Sequence, residues 1–297
     1  MSYYALLGAL EQGLVYGIMS LGVYITFRVL DFPDLSVDGT FPLGASIAAI
    51  LITNNFNPYL ASLFALLAGA FAGIITGVLN TKLKILNLLS GILVMIALYS
   101  VNIRIMGQPN TALLGYDTVF TPFENFFGLE RFVIAPIFFV FVIVILVIFV
   151  VWFLHTDIGL SMRATGDNPK MVRAQGVNDK FMVILGLAFS NGLVALSGSF
   201  VAQSQGSADV NMGIGTIVAG LASVILGEAF LEGRSVFRAV VSVIIGSTIY
   251  RLAIAVALSF KIGNFQLNPS DLNLITAFIV TFALISPNIK KFIRVRS

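Results

Sequence analysis

Nine apolar runs, at 4–27, 40–52, 59–80, 86–103, 132–154, 181–202, 213–230, 235–260 and 272–285, constrain this chain more than anything else in it. A helix needs about 20 apolar residues to cross the hydrocarbon of a bilayer, and the shortest runs fall below that unless the helix is tilted or broken. The expected fold class is all-α: a polytopic membrane helical bundle of about 8–10 segments, with residues 1–297 as a single transmembrane domain. The run at 40–52 reads either as an independent span or as the far half of a broken helix. Composition agrees, since 58% of residues are hydrophobic and 10% charged, against roughly 25% charged in a soluble domain. The net charge of +3 does not call for nucleic acid, because the basic residues gather at span ends, as membrane insertion requires. There is no cysteine, which excludes disulfides and thiolate metal sites. Residues 1–27 hold no Lys or Arg and carry Glu11, so no cleavable leader is expected.

The short loops also set an orientation. With residues 157–180 in the cytoplasm, Arg28, Lys82, Lys84, Arg163, Lys170, Arg173, Lys180, Arg234, Arg238, Lys290, Lys291, Arg294 and Arg296 all fall inside. Arg104, Arg131 and Lys261 alone fall outside, each near a span end, and the acidic 106–130 loop joins them. The N-terminus is then outside and the C-terminus inside. Gly69, Gly73 and Gly77 repeat at intervals of four, a close-packing pattern for helices in lipid.

The interval 157–180 is strongly polar between two apolar runs. A short helix can be read inside it, with Asp167 or Asn168 as its cap, Pro169 in its first turn and Gly176 just past its end. The bilayer does not require such a helix, but a soluble partner can grip it. No G-x-x-x-x-G-K-[ST] occurs and no Gly precedes a Lys, so the chain has no nucleotide-binding loop of its own. A single histidine and the absence of H-E-x-x-H and G-x-S-x-G leave metal and nucleophilic catalysis little to work with. Neither a cofactor nor a metal is expected, and transport fits what remains.

Two segments echo each other. One begins at Asp34 (DLSVDGTFPLGASIAAIL) and the other at Asp209 (DVNMGIGTIVAGLASVIL), with Gly39-Thr40 and Gly215-Thr216 as matching pairs and Gly44 and Gly220 as matching glycines. In the orientation above the two helices run in opposite directions, the pattern of an inverted repeat whose interrupted helices frame a substrate route; the alternative is chance similarity between Gly- and Ala-rich spans. Asp34, Ser36, Asp38 and Thr40 form one polar cluster, and Gln203, Gln205, Asp209 and Asn211 another. With Thr216 they read as candidates for the translocation path, or else as ordinary solvated loops. Arg251 lies well inside a span, where a guanidinium costs on the order of 3 kcal/mol or more. Asp209, Asp271 or a backbone carbonyl are candidate partners, whether Arg251 makes a structural ion pair, snorkels outward or meets solute. Glu11 invites the same readings, and His155 beside Trp152 reads as an interfacial anchor.

The residues Gly159, Arg163, Ala164, Gly166, Asn168, Gly176, Val177 and Asn178 follow the spacing G-x-x-x-R-A-x-G-x-N-x-x-x-A-x-x-x-G-I-N, with Val172 at the Ala position and Val177 at the Ile position. This resembles the cytoplasmic pattern of permeases of ABC importers of the branched-chain amino acid/ribose (LivH/RbsC-type) superfamily. The stretch FRVLDFPDLSVDGTFPLGA is similar to the tryptophan/tyrosine permease subgroup, where the wider family has an N-F-A-H-G-like segment. The resemblance implies a type II-like importer permease in the bacterial cell membrane, working as a homodimer with a second permease copy or as half of a heterodimer. Cytoplasmic ATPase subunits would dock on Gly159, Arg163, Ala164, Gly166, Asn168, Pro169, Lys170, Arg173 and Gly176. An extracytoplasmic solute-binding protein would deliver a small organic solute, an amino acid and by subgroup an aromatic one. The competing reading is an ion-coupled secondary transporter using Glu11, Asp34, Asp209 and Arg251.

Overall fold

The computed structural model describes residues 3–128, 130–231, 235–259, 261–262, 265–266, 277–278 and 281. Its helices are α1 (Tyr3–Tyr24, prolonged by a π-helical turn at Ile25–Val29), α2 (Val37–Thr53), α3 (Pro58–Thr81), α4 (Asn87–Met106), α5 (Thr121–Phe127) and α6 (Arg131–His155). They continue as α7 (Asp157–Asp167), α8 (Pro169–Ala174), α9 (Asp179–Gln205), α10 (Thr216–Phe230, led by a 3₁₀ turn at Val210–Gly213) and α11 (Val236–Ser259). Seven helical stretches are long and apolar enough to cross a membrane, and α2 is a shorter apolar helix. These account for eight of the nine expected segments, while the run at 272–285 lies mostly outside the described residues.

The 27-residue α9 is the axis of the bundle and is buried almost continuously from Gly186 to Gln203. It can be central because small residues line it. The expected glycine stripe of α3 meets it face to face: Cβ atoms at Gly69 and Gly73 would overlap the carbonyls of Asn191 and Leu187. Serines join the helices where glycines let them approach, with Ser190 Oγ donating to the Gly22 carbonyl at 2.7 Å, Ser197 Oγ to Val15 at 2.8 Å and Ser247 Oγ to Gly13 at 2.8 Å. α1 therefore runs antiparallel to α9, and α11 antiparallel to α1. One face of α6 packs Phe139, Ile143, Val150 and Leu154 inward, whereas Phe141, Ile145, Ile148 and Trp152 stay exposed, as lipid allows.

Exchanging α1 with α9, α2 with α10 and α3 with α11 preserves the packing: α3 lies against α2 and α9, and α11 against α10 and α1. The echo between the segments at Asp34 and Asp209 thus has a counterpart in three dimensions. Both second members are short, 17 residues in α2 and 15 in α10, or about 25 and 22 Å at 1.5 Å per residue. Each starts inside the bundle, α2 after the chain turns at Asp31 (φ +52°) and re-enters along 32–36.

Two expectations are corrected. The interval 157–180 contains two helices, because Thr156 caps α7 by accepting from the Gly159 amide at 3.2 Å. The acidic 106–130 loop, expected to lie outside and free to meet a partner, is anchored to the bundle instead. Its Leu113, Val119 and Phe120 are buried, β1 (Asn110–Ala112) pairs antiparallel with β2 (Ser207–Asp209), and Tyr59 Oη donates to the Val119 carbonyl at 2.9 Å. A second small ribbon joins Lys261–Ile262 to Phe265–Gln266.

Candidate functional site

The re-entrant segment 32–36 is held by a knot around Asp34, which is 2% exposed. Asp34 Oδ1 accepts from the Ser36 amide at 2.9 Å and the Ser36 hydroxyl at 2.6 Å, and Oδ2 accepts from Asn191 Nδ2 at 2.7 Å. Asn191 is twelve residues into α9, about 18 Å along a helix of about 40 Å. The carboxylate is therefore near mid-bundle, where burial is tolerable only with its lone pairs filled. Asp34 and Ser36 do not lie in a solvated loop, and they line neither of the two larger cavities described below. Thr40 is fully buried too, its hydroxyl donating back to the Ser36 carbonyl at 2.9 Å.

Asp38, in the first turn of α2, reaches a different helix. Its Oδ1 accepts from Thr216 Oγ1 at 2.9 Å and the Ile217 amide at 2.8 Å, and its Oδ2 from the Gly215 amide at 3.2 Å. A carboxylate from the start of α2 thus caps the start of α10, supplying acceptors for otherwise orphaned amides and negative charge where the helix dipole favours it. The N-terminal ends of the two half-length helices meet inside the bundle. The backbones touch as well, since a Cβ at Gly213 would overlap the Asp38 carbonyl.

A cavity opens on each side of this junction. One, of about 470 Å³, is lined by Asp38, Met95, Tyr99, Asn102, Asn211 and Ile214, among others. Asn102 donates to the Gly39 carbonyl at 3.1 Å, and its buried Oδ1 has no partner among the described residues. The other, of about 510 Å³, includes Gln12, Tyr16, Gln205, Ile214, Thr216 and Arg251 in its lining. The Arg251 guanidinium lies 3.5 Å from the centroid of the Tyr16 ring. No ion pair joins it to Asp209 among the described residues, and Asp271, the other carboxylate considered, lies outside them.

The remaining candidates are dispersed. Gln203 is fully buried and pins the 106–130 loop, accepting from the Val119 amide at 3.0 Å and donating to Ser62 Oγ at 2.9 Å. Asp209 sits in the outer ribbon, its Oδ1 accepting from the Asn211 amide at 2.7 Å in the same two-residue turn that Asp34 makes with Ser36. Gln203 and Asp209 therefore do not form one cluster, whereas Asp38, Asn211 and Thr216 do come together. Glu11 accepts from Ser204 Oγ and links α1 to α9.

At the other end, Asn168 caps α8 by accepting from the Met171 amide at 3.1 Å, and Gly176 follows it at φ +85°. Asn168, Pro169, Lys170 and Gly176 are exposed, and Arg173 pairs with Asp179 at 3.3 Å. On α7, Gly159 is buried against Leu154 and Ala164 is half-buried. Arg163 borders a 150 Å³ hollow with Tyr24 and Ser235. Gly166 is pressed on the end of α1, where a Cβ would overlap the Val29 carbonyl. The sequence reading missed Asn191, Asn102, Gln12 and Tyr16. The first two are amides inside apolar runs, a readable signal; the last two stand four apart on one face of α1.

Membrane-crossing helices in a pseudo-symmetric pair of sets, broken helices meeting at mid-depth and cavities beside the break define a multi-pass membrane permease. The sequence profile of the branched-chain amino acid transport system permease component family matches residues 5–285. The chain belongs to this family, and is a permease component of an ABC importer, as the resemblance implied. A tyrosine transport system permease protein of Clostridioides difficile is 43% identical over 284 residues, covering 96% of this chain and 92% of its own. An uncharacterized protein of Rickettsia prowazekii is 34% identical over 95% of this chain and 97% of its own. The ribose import permease RbsC of Escherichia coli is 27% identical over 77% of this chain and 70% of its own. No solved structure matches the chain.

Proposed function

We propose that the chain forms the passage for an aromatic amino acid through the bacterial cell membrane, and that α7 and α8 carry the stroke of a separate cytoplasmic ATPase to the α2–α10 junction. A second copy completes the pore, and an extracytoplasmic solute-binding protein loads it from the side of the N-terminus. The C-terminus faces the cytoplasm. The aromatic solute is inferred from the 43% relative, whose name gives tyrosine transport.

One observation carries the coupling, the seat of Gly166 on Val29. α8 follows α7 with only Asn168 between them; α7 rests on the end of α1; α1 leads through the Asp34 knot to Asp38; and Asp38 holds α10. A displacement of α8 therefore has a continuous, close-packed route to the mid-membrane break. Nucleotide binding biases the passage between outward- and inward-open states only if the ATPase binds them unequally. Of the basic groups on this surface, Lys170 and Arg163 are offered to the partner, while Arg173 is already engaged by Asp179.

The test is uptake of labelled L-tyrosine by vesicles holding the chain with its ATPase. Gly166→Val should lower uptake by roughly tenfold or more while ATP hydrolysis persists. Reversing the charge of Arg163 and Lys170 should release the ATPase on purification. Accumulation by the chain alone under a sodium or proton gradient would overturn the proposal in favour of ion-coupled transport.

A further inference from the structure

Arg251 stands inside α11 with no carboxylate paired to it among the described residues. Its guanidinium is stacked on Tyr16, which in turn stacks on Phe41 at 5.4 Å with 29° between the ring planes. Stacking engages the face of a guanidinium; its N–H donors lie in the plane and stay available at the edges. Nε is buried without a hydrogen-bond partner, and Arg251 makes no ion pair, among the described residues. The cavity it lines, about 510 Å³, has no Asp, Glu or His in its lining among the described residues. Its other polar side chains include Gln12, Gln205 and Thr216, and Met212 and Ile254 contribute apolar wall. A cation held by an aromatic ladder, in a cavity otherwise neutral and partly oily, fits an anion with two coplanar acceptors and an apolar body.

We infer that this cavity is a carboxylate-binding subsite, in which Arg251 takes the carboxylate of a monocarboxylate solute in a forked two-bond contact and the apolar wall receives the solute's body. Forked recognition is what a guanidinium does better than an ammonium. The subsite shares Gly215 and Thr216 with the groups bonded to Asp38, so an occupant sits against the helix junction. The choice of an aromatic solute rests on the function proposed above; the carboxylate requirement rests on Arg251 alone.

The experiment measures binding to the full chain in lipid nanodiscs by thermal-shift titration, with L-tyrosine, 4-hydroxyphenylacetate and tyramine as probes. The two carboxylates should stabilise the wild type and tyramine should not. Arg251→Gln should weaken carboxylate binding by roughly ten- to hundredfold, and Arg251→Lys should fall between, having charge without the fork. Tyramine binding as tightly as 4-hydroxyphenylacetate would overturn the inference, as would failure of 4-hydroxyphenylacetate to bind the wild type. Unchanged carboxylate affinity in Arg251→Lys and Arg251→Gln would do the same. Should Arg251→Gln fail to fold, the wild-type comparison and Arg251→Lys still decide. If 4-hydroxyphenylacetate binds through Arg251 but L-tyrosine neither binds nor enters vesicles, the subsite stands and the aromatic amino acid assignment falls.

Discussion

On either side of the mid-membrane break the two short helices are held very differently. Where α2 meets α9, backbone presses on backbone: Cβ atoms at Gly44 and Gly198 would overlap the carbonyls of Ala195 and Phe41, and the Asp34–Asn191 knot is closed nearby. Where α10 meets α1, Gly220 faces side-chain atoms of Val23 and Met19, and the α10 start is bordered by two cavities. One carboxylate, Asp38, bridges the tight side to the loose one. The lesson is that pseudo-symmetry of packing need not mean equal rigidity. We infer that the α2 half is a fixed post, and that α10, clamped backbone to backbone on α11 at Gly227 and Gly246, is the part that swings with α11 when its cap is released.

The largest effect should come from opening the tight side. Asp34→Ala leaves the Ser36 backbone amide and one Asn191 Nδ2–H without their acceptor in a dry core, at roughly 1–3 kcal/mol for each unpaired donor, while the Ser36 hydroxyl can turn to Asn191 Oδ1 at 3.2 Å. Unfolding in detergent should show a loss near the top of that range or beyond, and uptake should fall with it. A stable Asp34→Ala protein with normal uptake would mean that the knot is not what fixes α2.

Next comes the contrast between matched glycines. Gly44→Ala forces a methyl into the Ala195 backbone, which cannot rotate away, so overpacking of about 1–3 kcal/mol is expected. Gly220→Ala meets movable side chains and should cost under about 1 kcal/mol. Equal losses at the two positions, measured in the same unfolding assay, would break the division into a post and a swinging half.

Asp38→Ala tests the bridge. Removing a helix cap costs about 1 kcal/mol, so the protein should remain folded, with a smaller stability loss than Asp34→Ala. Uptake should nevertheless drop by roughly tenfold or more if, as proposed, α7 drives the segment to which Asp38 ties α10. Loss of stability matching that of Asp34→Ala would make Asp38 part of the post.

Much of this was legible beforehand. Span lengths predicted the helices, the spacing of Gly69, Gly73 and Gly77 predicted a helix contact, and Asn168-Pro169 with Gly176 marked both ends of α8. The shared Asx turn and Gly-Thr pairs at 34–44 and 209–220 carried the echo. What could not be read was which polar residue meets which, because hydrogen-bond partners such as Asp34 and Asn191 lie 157 positions apart. Adjacent residues in the sequence clusters consequently part company: Asp38 crosses to Thr216, while Asp34 and Gln203 are spent on the core. The outer loop misled for a similar reason. Its acidic residues advertise solvent, but Val119 and Phe120 between them are anchors whose partners come from α3, α6 and α9.

The smallest effect belongs to a contact that looks strong. Arg28 at the end of α1 makes a forked pair with Glu228 near the end of α10, Nε to Oε1 at 2.7 Å and Nη2 to Oε2 at 3.0 Å. The side chains are 58% and 33% exposed, so water and salt screen the attraction and the two charges gain little beyond about 0–1 kcal/mol. Arg28→Ala should therefore leave the unfolding midpoint almost unchanged, in contrast with the uncharged partners of Asp34. Yet the pair clips the far end of α10 to the helix on which α7 rests. If α10 moves against α1 during transport, breaking the clip should alter the uptake rate without altering stability, and raising the salt concentration should mimic the variant in the wild type. A stability loss approaching that of Asp34→Ala would show instead that the inner end of α10 belongs to the rigid half.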